Sequence, residues 1–227
     1  MSDQINMDAG SPFNKFTVIT SLYIILLIIS NLMATKLVTF WGMVLPAAVI
    51  AYPLCFMTGD VLTEVWGYKT AKKVIWLGFF ANFLLVVWTN IGVYMPYPDF
   101  WQGQEHYKFI FNAVPRITLA SFAGYIFGEL TNSWSLEFIK KFTGERFLFI
   151  RTIGSSVIGQ VLDTLFFFTI GFYGTVPNKV LITMIVTQYL FKVACEALGG
   201  TPLAYMLVKW AKKDNSVTPP GSLSNCI

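Results

Sequence analysis

Residues 16–33 read FTVITSLYIILLIISNLM and contain no charged side chain. A helix that crosses a bilayer needs about 20 mostly apolar residues, because it rises about 1.5 Å per residue through a hydrocarbon core about 30 Å thick. This run is therefore a candidate span. Lys15 is the only basic residue before it, and no A-x-A-like cleavage site follows it, unlike in a secretory signal peptide. We predict an uncleaved first span.

The composition extends this interpretation to the whole chain. Of its 227 residues, 55% are hydrophobic and only 12% are charged, whereas about 25% are charged in soluble proteins. The mean hydropathy is +0.60. We therefore predict an all-α polytopic membrane protein. We attribute the net charge of +4 to loops beside the membrane and not to nucleic-acid binding.

The motifs of common enzymes and metal sites do not occur in the sequence. The three cysteines form no C-x-x-C pair, and His106 is the single histidine, so we predict no metal site. The chain contains no G-x-S-x-G, H-E-x-x-H or P-loop pattern. We therefore predict neither an enzymatic activity nor a cofactor.

Six apolar segments are candidate transmembrane helices. They cover 16–33, 43–66, 71–95, 117–136, 152–173 and 180–210. The last is too long for an upright span, and its GGTP sequence predicts a strong tilt or a break near Gly199 and Gly200. We predict a cytoplasmic segment over 1–15, a transport domain over 16–210 and a disordered, polar cytoplasmic tail over 211–227.

The basic residues predict the orientation of these spans. Eleven lie at the two ends of the chain, in the second-to-third turn and in the fourth-to-fifth loop, whereas four lie on the opposite side. Since Lys and Arg are enriched in cytoplasmic loops, we predict that both termini are cytoplasmic. The outer segment 94–116 is rich in aromatic residues. It is interpreted either as an interfacial belt or as a lid over an outward-facing site.

Ionisable side chains within the predicted spans are the main functional signal. Glu129, Asp163, Lys192 and Glu196 each cost about 2.5–3.5 kcal/mol at the centre of a membrane helix, so they must face the interior of the protein and find partners. Lys192 and Glu196 are four residues apart and could neutralise each other. Asn82, in the third span, is interpreted either as a hydrogen-bonding link between helices or as a ligand.

Two of these acids belong to a short repeated pattern. GELTN (128–132) and GQVLD (159–163) share the form G-[EQ]-x-x-[ND] and lie 31 residues apart. The spacing places the second and fifth side chains of each motif on one helix face. Repeated helices that meet near the bilayer midplane are one way to build a transporter site. The neighbouring Gly124 and Gly128 form a G-x-x-x-G motif, which is typical of helix pairing and compatible with a homodimer.

The segment TGDVLTEVWGYK (58–69) places two further acids at the end of the second span. Asp60 and Glu64 are four residues apart and share a helix face. They could lie in water and pair with the lysines that follow. Alternatively, they belong to a polar path or gate on the cytoplasmic half of a substrate route.

Together, these groups would line a cavity with acids, amides and one cation, with aromatic residues such as Phe56 nearby in sequence. Carboxylates and amides can hydrogen-bond along the edges of a flat, polar heterocycle, and aromatic rings can stack on its faces. A bare cation channel would instead use rings of acids or carbonyls.

Residues 58–82, TGDVLTEVWGYKTAKKVIWLGFFAN, resemble the signature of the queuosine precursor transporter family, which are vitamin-uptake-like membrane proteins of bacteria. The signature runs from the second span into the third. This chain departs from it at Gly59, which precedes Asp60, and at Trp66, where tyrosine is usual.

A second long segment carries the same resemblance. RTIGSSVIGQVLDTLFFFTIGFYG (151–174) is similar to the fifth span of the family and matches it at Gln160, Asp163 and Thr164. Gly159 replaces the usual serine there, and GELTN replaces a more usual S-Q-x-x-D in the fourth span. The shorter segments RITLAS (116–121) and TPLAY (201–205) fit as well, so the resemblance extends from about residue 20 to residue 210.

The resemblance implies a six-helix importer of the bacterial inner membrane. Its substrates would be 7-deazaguanine bases, such as prequeuosine-0, prequeuosine-1 or queuine, which feed tRNA modification. We predict that Asp163 or Glu129 binds the guanine edge and that Gln160 and Asn132 complete it. The full set of predicted substrate-binding residues is Asp163, Gln160, Glu129, Asn132, Thr164, Asn82, Lys192 and Glu196, with Asp60 and Glu64 as gate or path residues.

Two other functions stay open at this point. The chain could be the substrate-binding subunit of an energy-coupling-factor importer, which has a similar six-helix architecture. The first span lacks the A-x-x-x-A spacing that such subunits often use to bind their partner. The chain could also be a proton-coupled carrier for another nucleobase or vitamin, because its acids would suit that function equally well.

Overall fold

Helices account for most of the structure, a computed structural model that describes residues 14–40, 42–143, 148–195 and 201–212. The helices are α1 (Lys15–Met33), α2 (Tyr52–Trp66), α3 (Tyr68–Tyr94), α4 (Gln104–Phe111), α5 (Val114–Thr143), α6 (Leu148–Phe172), α7 (Asn178–Cys195) and α8 (Thr201–Lys212). The antiparallel strands β1 (Leu37–Phe40) and β2 (Met43–Pro46) form a hairpin, and a 3-10 turn over Ala47–Ile50 leads from it into α2.

The helical class and the membrane character are confirmed. Within the described ranges, three helical stretches are long and apolar enough to cross a membrane: Lys15–Met33, Tyr68–Tyr94 and Gln104–Asn132. The last of these runs through α4 into α5. A further apolar stretch, Val157–Phe172 in α6, is shorter. The predicted ends of the first, third and fifth spans lie within a few residues of the observed ends of α1, α3 and α6.

The prediction of one continuous span over 43–66 was wrong in its first part. Met43–Pro46 is a strand, and helix α2 begins only at Tyr52. Gly42 has a φ of 79°, a left-handed conformation that turns the chain between the two strands. Pro53 lies in the first turn of α2, where its missing N–H removes no helical hydrogen bond. The two prolines therefore mark the end of a strand and the start of a helix.

The predicted sixth span is divided into two helices. Helix α7 ends at Cys195 and α8 begins at Thr201, and the predicted break at Gly199 and Gly200 lies outside the described residues. Helix α8 packs against α2, with Ala211 buried in the cluster formed by α1, α2 and α3. At its end, the Trp210 carbonyl accepts a hydrogen bond from Lys15 Nζ at 2.9 Å.

The outer segment 94–116 contains a helix that the sequence analysis did not predict. Helix α4 has one buried side chain, Gln104, whose Nε2 donates to the Val93 carbonyl at 2.9 Å. The Trp101 ring contacts the ring of Tyr107 in α4, which in turn contacts the ring of Phe111 at the end of the same helix. The segment is therefore a packed element against the end of α3.

Two apolar clusters hold the helices together. One joins α1, α2, α3 and α8 around Val61 and Leu62, and the other joins the 3-10 turn, α5, α6 and α7 around Phe168 and Met184. Tyr52, at the start of α2, packs against the second cluster, while Cys55, one turn later, belongs to the first. Helix α2 thus lies between the two clusters, and this position brings it next to the polar groups of α6 and α7.

Candidate functional site

A salt bridge between α6 and α7 brings together two of the predicted site residues. Lys192 Nζ donates to Asp163 Oδ2 at 2.5 Å, and the two side chains are only 9% and 22% exposed. A charge of either sign is costly away from water, and pairing makes the site neutral. The alternative pairing of Lys192 with Glu196 is not tested, because Glu196 lies outside the described residues.

Two aromatic rings of α2 complete the surroundings of the lysine. Lys192 Nζ lies 5.9 Å from the centroid of the Tyr52 ring and 5.4 Å from that of Phe56. Both distances are within the range of about 6 Å at which a ring face attracts a cation. The two rings stack on each other at 6.0 Å.

The sequence analysis did not identify Tyr52 as a site residue. Its signal in the sequence is the spacing of Tyr52 and Phe56 in YPLCF, which puts two aromatic rings on one helix face. The spacing would hold in one continuous helix over 43–66 as well, but the sequence does not show that this face meets Lys192.

Glycines bring α5 close to α6 at the level of Asp163. A Cβ atom on Gly124 would lie 2.7 Å from Asp163 Oδ1, and one on Gly128 would lie 2.9 Å from Asp163 Cβ. Side chains cannot approach this closely, so only glycine fits at these positions. The α5 backbone therefore forms one wall against the Asp163 side chain.

The two repeated motifs meet at this crossing. Asp163, the last residue of GQVLD, packs on Gly128, and Asn132, the last residue of GELTN, packs on Gly159, where a Cβ atom would lie 2.9 Å from Asn132 Cβ. A Cβ atom on Gly159 would also lie 2.8 Å from the Gly128 carbonyl oxygen. Because each glycine receives the polar side chain of the other motif, the crossing has approximate two-fold symmetry. Gly124 and Gly128 are both buried within the chain.

Several buried oxygen atoms on α5, α6 and α7 have no hydrogen-bond partner among the described residues. Thr164 follows Asp163 in α6, is fully buried and has an unpaired Oγ1 atom. Gln188 lies one turn before Lys192 in α7 and has an unpaired Oε1 atom. Asn132 Oδ1 is a third such atom. A buried polar atom without a partner costs about 1–3 kcal/mol. A ligand or water that donates hydrogen bonds would remove this cost.

Glu129 contributes to a second polar centre, towards α3. Its Oε1 accepts a hydrogen bond from the Tyr68 hydroxyl at 3.4 Å, and Tyr125 lies within electrostatic range of the same carboxylate. Although Glu129 follows Gly128 directly, its contacts are with α3 and not with the salt bridge. The two acids of the predicted cavity thus have different neighbours.

The remaining predicted residues lie elsewhere in the fold. Asn82 is fully buried and accepts a hydrogen bond from Asn31 Nδ2 at 2.8 Å, while its own Nδ2 donates to the Gly78 carbonyl. Its amide therefore links α3 to α1. Asp60 and Glu64 are exposed on α2, and Gln160 is partly buried one turn before Asp163 and Thr164.

A cavity of about 380 Å³ lies away from this site. It is lined by residues of the outer segment: Val93, Tyr94, Met95, Pro96, Tyr97, Gln104 and Lys108. Neither residue of the salt bridge contributes to its lining. In the part of the chain that the structure describes, no three His, Cys, Asp or Glu side chains cluster as metal ligands would.

The comparison with protein families identifies the class of this protein. Residues 46–207 match the profile of a family described as "Putative vitamin uptake transporter". This match covers more than half of the chain and includes the salt bridge, the aromatic pair and the crossing of α5 with α6. The chain therefore belongs to this family of membrane transporters.

The names of individual relatives are more specific than the description of the family. The chain is 30% identical to the "Probable queuosine precursor transporter" of Bacillus subtilis (strain 168) over 187 residues. The aligned residues make up 82% of this chain and 81% of that protein. It is 24% identical to the "Queuosine precursor transporter" of Escherichia coli (strain K12) over 207 residues. The aligned residues make up 89% of this chain and 86% of that protein. The resemblance seen in the motifs is confirmed. No solved structure matches the chain.

Replacing Gly128 with alanine should displace Asp163, because the added methyl group would lie 2.9 Å from Asp163 Cβ. Overpacking of this kind costs about 1–3 kcal/mol. We expect a lower thermal unfolding midpoint for Gly128→Ala in detergent, measured by intrinsic fluorescence.

Gly171→Ala is the matched control in the same pair of helices. Its added methyl group would meet Ile117 and Ala120 at ordinary distances of 3.4 and 3.5 Å. The proposed close approach would be contradicted if both substitutions lowered the midpoint equally.

Proposed function

We propose that this protein imports 7-deazaguanine precursors of queuosine across the bacterial inner membrane, and that the substrate binds beside Asp163 and Lys192. The relatives that carry the name of queuosine precursor transporters support the substrate class. The observation that supports the site is the partly buried salt bridge with two aromatic rings beside it. Ionisable groups within membrane helices commonly mark substrate or ion pathways.

The chemistry of the site suits a guanine-like base. The Watson–Crick edge of such a base presents N–H donors, and a carboxylate can accept two of them at once. Asp163 is the acid with aromatic rings close by, so we assign the guanine edge to it in preference to Glu129. Tyr52 and Phe56 would stack on the base or flank its substituent, and the unpaired oxygens of Thr164 and Gln188 would accept further hydrogen bonds.

The other predicted residues take supporting roles in this proposal. Gln160 and Asn132 lie beside the α5–α6 crossing and would complete the base-binding groups. Glu129 would belong to the path from the cytoplasmic side, together with Asp60 and Glu64. Asn82 would join helices and would not contact the substrate.

We further propose six spans, formed by α1, α2, α3, α5, α6 and α7, with both termini in the cytoplasm. The contact between Lys15 and Trp210 supports this arrangement, because it brings the two ends of the transport domain together. Helix α8 would then lie at the cytoplasmic surface. Residues 1–15 and 211–227 would be cytoplasmic, and the chain would work without a metal or cofactor.

Uptake by purified protein in liposomes tests the function. We expect saturable uptake of labelled prequeuosine-1 that prequeuosine-0 and queuine inhibit and riboflavin does not. Asp163→Asn should lower uptake at least about tenfold, since a hydrogen bond to a charged group contributes about 1.5–3 kcal/mol.

Lys108→Met is the matched control for this substitution, because it removes a salt bridge with Glu105 that is exposed in the outer segment. It should leave uptake unchanged. Tight binding in detergent without uptake would instead favour the energy-coupling-factor function and a missing ATPase partner. If the protein neither bound nor transported any deazaguanine, the proposed function would be wrong.

Cysteine labelling tests the topology. In a variant without Cys55 and Cys195, Cys226 should react with a membrane-impermeant maleimide only after spheroplasts are permeabilised. A cysteine at Asp99, in the exposed outer segment, should react in intact spheroplasts. The opposite pattern, or labelling of both positions on one side, would contradict the proposed orientation.

A further inference from the structure

The salt bridge and the aromatic rings form a complete binding site for an ammonium group. We use the term ammonium cage for the Asp163 carboxylate and the rings of Tyr52 and Phe56, all of which surround Lys192 Nζ. A carboxylate supplies the counter-charge, and aromatic faces stabilise a cation that has lost its water shell. The cage is occupied here by an ammonium group that belongs to the protein itself.

The occupant of the cage can leave without unfolding the helices around it. Lysine carries its charge on a flexible stem of four carbons, whereas Asp163 is fixed from behind by Gly124 and Gly128. Phe56 is 49% exposed, so the cage opens to the surface of the helix bundle on that side. Rigid walls and a mobile occupant are the arrangement expected of an exchange site.

Charge balance permits only one cation in the cage. Asp163 and Lys192 form a neutral pair, and a second ammonium group beside them would leave an uncompensated positive charge with little access to water. Such a charge costs several kcal/mol. A cationic ligand can therefore enter only if the Lys192 ammonium moves away on its flexible stem towards the open side of the cage at Phe56, whereas an uncharged ligand can bind beside the intact salt bridge.

Unpaired oxygen atoms on the two helices that carry the salt bridge favour a ligand rich in hydrogen-bond donors. Thr164 Oγ1 and Gln188 Oε1 are buried and unpaired in the described structure, and each lies on the same element as one partner of the salt bridge. An ammonium group offers three donors, and an amino-substituted heterocycle offers several more.

We propose that the ammonium cage binds a primary ammonium group on the substrate and that Lys192 is a tethered competitor, which the substrate displaces. This inference rests on the proposed function and refines its substrate class: a base that carries an ammonium group presents that group to Asp163 in place of its guanine edge. The protein would distinguish a deazaguanine with an aminomethyl group from one with an uncharged substituent at the same position. Lys192 would then set specificity by raising the energy needed to admit a cation.

The test compares the affinities of purified protein for two bases, an aminomethyl-substituted deazaguanine and one with an uncharged substituent. Lys192→Met removes the competitor and leaves the carboxylate and both rings. It should raise the affinity for the aminomethyl base relative to the uncharged base by about tenfold or more. Asp163→Asn should abolish the preference, and the control Lys108→Met should leave it unchanged.

A second measurement uses the unsubstituted protein, in case Lys192→Met does not fold. Acetylation of Lys192 by an N-hydroxysuccinimide ester, followed by mass spectrometry, reports whether its amine is accessible. The aminomethyl base should accelerate acetylation of Lys192, and the uncharged base should not. Because the amine of the aminomethyl base also consumes the ester, the acetylation rate of Lys192 is expressed relative to that of Lys108, whose accessibility should not respond to either base.

The inference is overturned if Lys192→Met fails to raise the relative affinity for the aminomethyl base, or if that base leaves Lys192 acetylation unchanged or slows it. The proposed function survives in that case as long as both bases are transported. If neither base binds the unsubstituted protein, the proposed function fails, and this inference fails with it.

Discussion

The partly buried salt bridge between Asp163 and Lys192 is the interaction around which the rest of the proposed site is organised. Neither charge would be stable alone in a helix bundle that crosses a membrane, and removal of one partner of such a pair typically costs about 3–5 kcal/mol. The pair therefore fixes the position of α7 relative to α6. It also explains why aromatic rings of α2, which solvate a cation without water, lie beside the lysine.

The crossing of α5 with α6 supplies the second constraint. Glycines at 124, 128 and 159 allow the two backbones to approach so closely that Asp163 and Asn132 each pack on the opposite helix. The two motifs of this approximately symmetric crossing differ in charge, because one ends in an acid and the other in an amide. This difference leaves a single buried carboxylate for Lys192 at the crossing. Glu129, on another side of α5, interacts with Tyr68 and serves a different part of the protein.

Much of this could be predicted from the sequence, because membrane helices impose strong patterns. Long apolar runs predicted most of the helices, and the cost of burying Asp163 and Lys192 predicted that both would face the interior and find partners. The repeat in GELTN and GQVLD predicted two related segments. The resemblance of two long motifs to a transporter family pointed to the same family as the comparisons.

Other features depend on tertiary contacts that local spacing does not reveal. Lys192 has Glu196 four residues away in sequence, but its observed partner, Asp163, lies 29 residues away on another helix. The hairpin before α2 was missed because an apolar run with two prolines fits a kinked helix as well as a strand followed by a helix. Tyr52 was missed because its contact with Lys192 joins two helices that are distant in sequence. The hydrogen bond between Asn31 and Asn82 separates a linking role from a binding role only once the partner is visible.

The most direct test of this account is a comparison of Asp163→Asn, Lys192→Met and the double variant by thermal unfolding in detergent. Each single substitution leaves one buried group without its partner, whereas the double variant leaves no uncompensated charge. The account predicts that the double variant unfolds at a higher temperature than either single variant. Additive losses of stability, with the double variant the least stable of the three, would show that the two charges do not depend on each other and would contradict it.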